Sequence, residues 1–157
     1  MSQKITPFLW FDGNAEEAAR HYVSIFKNSK ITDIARYTGA EPGPKGTVMT
    51  IAFELDGQAF AGINGGPQFK FTEAVSFAVR CKDQAEIDEM WEKLSAGGER
   101  GPCGWLKDKF GLSWQVVPEF LIEILGKGDT EKSARVMAAV MKMSKLDLAT
   151  LKAAAAG

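Results

Sequence analysis

The chain has 157 residues, 45% of them hydrophobic and 25% charged, with a formal net charge of −1. That length suits one domain, or two half-size modules sharing a core, and the composition is that of an ordinary globular protein. A sequence pI of 5.9 and the absence of any Lys/Arg run longer than two residues argue against nucleic acid and anionic membrane as partners, because both need a basic patch.

The longest apolar run is too short for a transmembrane helix. Pro7 stands where the apolar region of a secretory leader would begin, so no leader is expected. Two cysteines, Cys81 and Cys103, are too few for a disulfide framework. They predict a cytoplasmic protein with reduced thiols.

In chain order, Ile5 to Phe11 reads as an extended apolar run closed by the turn signal Asp12-Gly13. Asn14 is a good N-cap for a helix over 15–26, whose Ala18, Tyr22, Ile25 and Phe26 form one apolar face. Lys30 to Tyr37 predicts a strand with Ile31, Ile34 and Tyr37 as its larger apolar residues. A Gly/Pro-rich loop at 39–46 follows, and then a strand over 47–55. Asp56-Gly57 is a hairpin turn into a last strand over 58–64.

The second half repeats this order. Ala74 to Arg80 predicts a strand, and Asp83 caps a helix over 84–95 whose Ile87, Met90, Trp91 and Leu94 lie at helical spacing. Gly97-Gly98 ends it. Three short strands follow. The last two form a hairpin, with Trp105 to Lys109 on one strand, a turn at Phe110–Gly111, and Leu112 to Val117 returning until Pro118. Asp108 and Lys109 read as surface charges beside that turn. An internal duplication at a spacing of roughly 70 residues decides the fold class. It is α+β, two tandem βαβββ modules making a cupped sheet, with a C-terminal helical tail. In the tail, helices follow Pro118 and Asp129, and Ser144 with Asp147 has the spacing of a capping box before a third helix. Met137 and Met141 read as packing.

Phe11-Asp12-Gly13-Asn14-Ala15-Glu16-Glu17-Ala18, Asn64-Gly65-Gly66-Pro67 with Phe69 and Phe71, Val75-Ser76-Phe77, and Gly101 to Pro118 resemble the vicinal-oxygen-chelate superfamily of glyoxalase I, bleomycin-resistance proteins and extradiol dioxygenases. More narrowly they resemble its PhnB-like group, labelled 3-demethylubiquinone-9 3-methyltransferases. Val140 to Met143 and Lys145 to Asp147 extend the resemblance into the tail. It implies a single glyoxalase-like domain over 1–125 (modules 1–66 and 67–125), an extension over 126–157, and a homodimer. His21 departs from the pattern, standing where the superfamily usually places Phe.

The resemblance also implies metal ligands on the first and last strand of each module. Carried over, these fall at or near Thr6, within 58–64, at Ser76 and at Gln115. Hydroxyls and a neutral amide are poor ligands for a zinc-class ion, which takes imidazole, thiolate or carboxylate. The chain has one His, so a two-His site within one chain is impossible, and neither metal nor cofactor is expected. For methyl transfer, the turn Asp12-Gly13-Asn14 lacks a Gly-rich cofactor fingerprint.

Alternation along a strand then selects the inward residues. If Gln115 faces the cup, Ser113 and Val117 do too, while Trp114 packs beneath a helix. Thr6, Phe8 and Trp10 share the inward face of the first strand, and Ser76, Ala78 and Arg80 that of the fifth. The expected ligand contacts are Phe8, Trp10, Ser76, Arg80 and Gln115, binding a small, partly apolar molecule. The competing reading is a metal-free acid–base enzyme carried by Glu73 and Arg80. Cys103 reads as a pocket-lining or structural thiol.

Overall fold

The structure is a computed structural model that describes residues 3–157. Met1 and Ser2, the first residues of the expected first module, lie outside the described residues. The chain forms two compact units, residues 1–70 and 71–157.

The first unit runs β1 (Phe8–Phe11), α1 (Ala15–Ile25), β2 (Lys30–Arg36), β3 (Val48–Leu55) and β4 (Gln58–Asn64). Its strands lie in the order β1-β4-β3-β2, with β1 parallel to β4 and the other pairs antiparallel. This is the predicted βαβββ arrangement. The small residues Ala15, Ala18 and Ala19 are buried with Tyr22 and Ile25, so the helix comes close to the sheet. Tyr22 stacks on Phe53, and Phe53 on Phe60, at centroid distances of 6.3 and 5.6 Å.

Two local features follow directly from residue type. Ile31 and Ile34 stand three apart, which strict alternation would put on opposite faces. A β-bulge between Ile31 and Asp33 supplies the extra residue, so the two pair with Phe53 and Ile51, both buried. Asp56 and Gly57 both take positive φ (47° and 80°), the two-residue turn whose twist matches the flanking strands.

The second unit runs β5 (Ser76–Cys81), α2 (Gln84–Ser95), β6 (Glu99–Arg100), β7 (Trp105–Lys107) and β8 (Ser113–Pro118), then α3 (Glu119–Gly126), α4 (Thr130–Val140) and α5 (Leu148–Ala156). The strand order β5-β8-β7-β6 repeats that of the first unit, again with the first strand parallel to the last. Asp83 caps α2 through Glu86 N–H, while the Glu86 side chain accepts from Lys82 N–H. The two helices of the tail share a core with β8 and α3. Val136, Val140, Leu146 and Leu151 are buried with Val117, Leu121 and Ile124. Among the described residues no helix is long and apolar enough to cross a membrane.

Three local expectations are corrected. The hairpin strand stops at Lys107 rather than Lys109, and 108–112 form the turn. Asp108 is no surface charge; it is 2% exposed. Its carboxyl accepts from the backbone N–H of Phe110 and Leu112 and from the Trp114 indole N–H at 2.9–3.0 Å. The capping box at Ser144 does not form. The Ser144 hydroxyl donates to Gly101 O, and Asp147 makes no side-chain cap bond to the helix.

Candidate functional site

Each sheet has one face covered by its first helix. In the second unit α2 packs on β8 and β7, and Leu106, Trp114 and Val116, each at most 2% exposed, belong to that face. Alternation then turns Trp105, Lys107, Ser113, Gln115, Ser76 and Ala78 to the other, open face. The ladder puts Gln115 between Ala78 and Trp105, and Ser113 between Ser76 and Lys107. The Gln115 amide donates to Ser76 Oγ at 3.0 Å. Two expected contact residues are thereby joined, and Trp114 is on the helix side of its strand as strand parity predicts. Arg80 is exposed and pairs with Val117.

A cavity of about 370 Å³ opens on this face, with Trp105, Leu106, Lys107, Ser113 and Cys103 among its lining residues. Its walls come from β7, β8 and the loop before β7. That loop holds its shape through the tail. Cys103 and Gly104 have φ of 61° and 84°, and their N–H groups donate to Met143 O and Ser144 O, each at 2.8 Å. A Cβ on Gly104 would sit 2.8 Å from Val116 O, so only glycine fits.

Charge at the rim is paired. Lys107 forms an ion pair with Glu73. Its hydrogen bond and charge hold the Glu73 carboxyl below its ordinary 4.5, and Glu73 in turn holds Lys107 above its ordinary 10.5. A general acid working near neutrality needs the opposite direction for a carboxyl. Arg100 belongs to the helix side. It pairs with Glu92 at 2.8 Å, donates to Ser95 Oγ at 3.0 Å, and lies over the Trp91 ring.

In the first unit Phe8 and Trp10 share the face of β1 opposite the buried Leu9 and Phe11. Phe8 is 59% exposed. Trp10 is committed within its own unit: its indole N–H donates to Gly66 O at 2.9 Å, and its ring meets Phe69 edge-on at 4.9 Å. A Cβ on Gly65 would fall 2.2 Å from that ring. A wider cavity of about 660 Å³ lies near the end of β4. The Arg36 and Tyr37 side chains beside it are already bonded to Gly46 O and Asn64 O.

The residues present do not fit a metal of the superfamily kind. Thr6 is exposed and precedes β1, while the Ser76 hydroxyl is engaged by Gln115. The span 58–64 carries no carboxylate or imidazole. His21 lies on α1, with its ring 5.9 Å from that of Tyr22. Among the described residues no three His, Cys, Asp or Glu side chains converge. Cys81 is fully buried, and burial first, then Glu86, Asp83 and Glu119, push its thiol up to about 12.

The sequence from residue 3 to residue 117 matches the family described as 3-demethylubiquinone-9 3-methyltransferase. The chain belongs to that family. The PhnB protein of Bacillus cereus is similar at 41% identity, with 74% of this chain and 99% of that one covered and a TM-score of 0.66. A Pseudomonas aeruginosa protein shares the fold at 22% identity, over 74% and 98% of the two chains, with a TM-score of 0.62. So does the fosfomycin resistance protein FosX of Listeria monocytogenes, complexed with Mn(II) and sulfate, at 16% identity, over 74% and 89%, with a TM-score of 0.51. These neighbours place this PhnB-like chain in the glyoxalase-like, vicinal-oxygen-chelate fold. The family match ends ahead of the tail, so residues 140–147 lie outside it. No curated protein matches the sequence.

Sequence reasoning placed Ser113 on the inward face without naming it as a contact and read Cys103 as a pocket-lining or structural thiol, but it missed Trp105 and Lys107 as cavity residues. The signal for Trp105 and Lys107 was the length of the hairpin turn. A two-residue turn at Phe110–Gly111 would pair Trp105 with Val116, on the helix face. The longer turn around Asp108 pairs it with Gln115, and that single step of register moves the indole to the open face.

Proposed function

We propose that the protein binds a small, partly apolar molecule on the open faces of its sheets, without a zinc-class metal. The observation that carries this reading is the cavity beside the Ser76–Gln115 pair, within the usual size range for a small ligand and walled by a tryptophan. Ser76, Gln115 and the exposed Arg80 are the proposed polar contacts in the second unit; Phe8 and Trp10 are the apolar ones in the first. Mass spectrometry of molecules co-purifying with the protein should reveal an organic ligand, and elemental analysis should find no stoichiometric Zn, Ni or Fe. Replacing Gln115 with Ala should leave the fold intact and weaken that ligand by about 0.5–1.5 kcal/mol, the usual net value of one hydrogen bond. One metal ion per chain after dialysis would overturn the metal-free reading.

Methyl transfer, the activity in the family's description, is the second reading. It predicts a heat of binding for S-adenosylmethionine in titration calorimetry, and its absence would reject it. General-acid chemistry at Glu73 is opposed by Lys107, whose hydrogen bond and charge hold that carboxyl below its ordinary value. We further propose a cytoplasmic homodimer. Its support is the half-exposed Cys103, free together with Cys81, and the exposed apolar side chains Ile5, Phe8 and Phe69. Sedimentation at micromolar concentration should give twice the 17.1 kDa chain mass.

A further inference from the structure

Ser113 sits on the open face of β8 and lines the 370 Å³ cavity, yet it is only 1% exposed. Its hydroxyl has no hydrogen-bond partner among the described residues. A buried hydroxyl left unbonded costs free energy, and native structures seldom keep one without a use. Neither neighbour in the ladder bonds to it: the Ser76 hydroxyl accepts from Gln115, and the Lys107 ammonium pairs with Glu73. The rest of the wall is largely hydrocarbon, thiol and indole from Pro102, Cys103 and Trp105.

Lys107 is engaged by the Glu73 carboxylate, the Arg100 guanidinium is turned to the helix side and paired with Glu92, and Glu99 adds a negative charge. An anionic occupant would therefore lose its hydration for no uncompensated positive charge.

We propose that this cavity takes an uncharged, mostly hydrocarbon molecule carrying one hydroxyl or carbonyl oxygen, and that this oxygen exchanges a hydrogen bond with Ser113 Oγ at the cavity floor. The proposal rests on the binding reading above and gives it a chemical class. The hydrocarbon body lies against the Trp105 indole, and the Cys103 thiol borders it. Reaching Oγ takes a small shift of a neighbouring side chain. Lys107, on a flexible stem and tied to the exposed Glu73, is opposite Ser113 in the ladder.

Three molecules of one shape test it: p-cresol, p-xylene and the p-toluate anion. Binding is read by Trp fluorescence and by protection of Cys103 from maleimide. Cys81, buried and with its thiol pushed up to about 12, stays unlabelled in the folded chain. Wild-type protein should bind p-cresol about three- to tenfold more tightly than p-xylene, the ratio that one hydrogen bond confers, and should bind p-toluate least.

In Ser113→Ala, p-cresol and p-xylene should become nearly equal, while the ligand-free variant unfolds at the same or a higher temperature than wild type. The wild-type series stands even if the variant misfolds. Equal wild-type affinities, a preference for p-toluate, an unchanged preference in Ser113→Ala, or binding without protection of Cys103 would each overturn the proposal. So would failure of all three probes to bind, although a co-purifying ligand of another class would leave the broader binding reading standing.

Discussion

Asp108 is the residue whose surroundings most changed its meaning. As a letter between two lysines it reads as a solvated charge, but in the fold it gathers two backbone N–H groups and the Trp114 indole. It thereby sets the length of the hairpin turn and the face on which Trp105 lies. Asp108→Ala strands three donors in a mostly buried turn and should cost about 2–3 kcal/mol in urea denaturation, since an unsatisfied buried group costs roughly 1–3 kcal/mol. A loss of only a few tenths would mean that water replaces the carboxyl.

The Glu73–Lys107 pair has a pH signature of its own. Glu73, lowered in the folded state, contributes stability above its ordinary 4.5 and loses it as pH falls through the lower folded value. Lys107, raised, contributes below its ordinary 10.5 and loses it as pH rises through the higher folded value. The difference in melting temperature between wild type and Glu73→Gln should therefore be flat between those limits and close in acid and in strong base. Both side chains are exposed, so the difference should be small and fade with salt. A difference that persists unchanged into acid and into strong base would contradict the assignment.

At the scale of elements, the helices differ in where their caps come from. Asp83 and Asp129 cap α2 and α4 through N–H groups three residues on, as local spacing predicts. Asn14 makes no such bond. The first N–H of α1 goes instead to Asn64 Oδ1 at 2.9 Å, from the end of β4, while the Asn64 amide donates to Val48 O at 3.0 Å. The start of α5 is likewise held from afar: Leu148 N–H donates to Gln84 Oε1 at 2.7 Å, and Gln84 Nε2 donates to Leu146 O at 3.1 Å. Asn64→Ala should then cost about 1–2 kcal/mol, the range of a lost cap with a second bond. Asn14→Ala should cost much less. Chemical denaturation of the two variants side by side checks the order, and equal costs would refute it.

At the scale of the whole molecule, the tail is a structural part of the second unit. It buries Val117, Leu121 and Ile124 and holds the Cys103–Gly104 loop that walls the cavity. The family match ends at residue 117, so the tail lies outside it. Deleting residues 127–157 should lower the melting temperature and raise the binding of a hydrophobic dye. Each newly exposed aliphatic side chain is worth roughly 1.5–3 kcal/mol of lost burial. An unchanged melting temperature would show that the tail is dispensable to this core.

The duplicated order of elements was legible in the sequence, because hydrophobic period, turn residues and helix stops are local signals and recur in both halves. The sequence by itself also determined the ligand-poor chemistry of the metal positions, because a single histidine is a matter of composition, and that Trp114 lies on the face opposite Gln115, because alternation is a property of one strand. Tertiary structure decided whatever depended on partners distant in the chain. Asn64 and Gln84 cap helices whose starts lie 49 and 64 residues away, and no local spacing encodes such a bond. The face of Trp105 turned on a buried carboxyl that lengthened one turn by an odd number of residues, and a strand's two-residue period converts that into a change of side. The empty hydrogen-bonding capacity of Ser113 became visible only once its neighbours Ser76 and Lys107 were seen to bond to Gln115 and Glu73 instead, since satisfaction of a polar group belongs to its surroundings rather than to the residue.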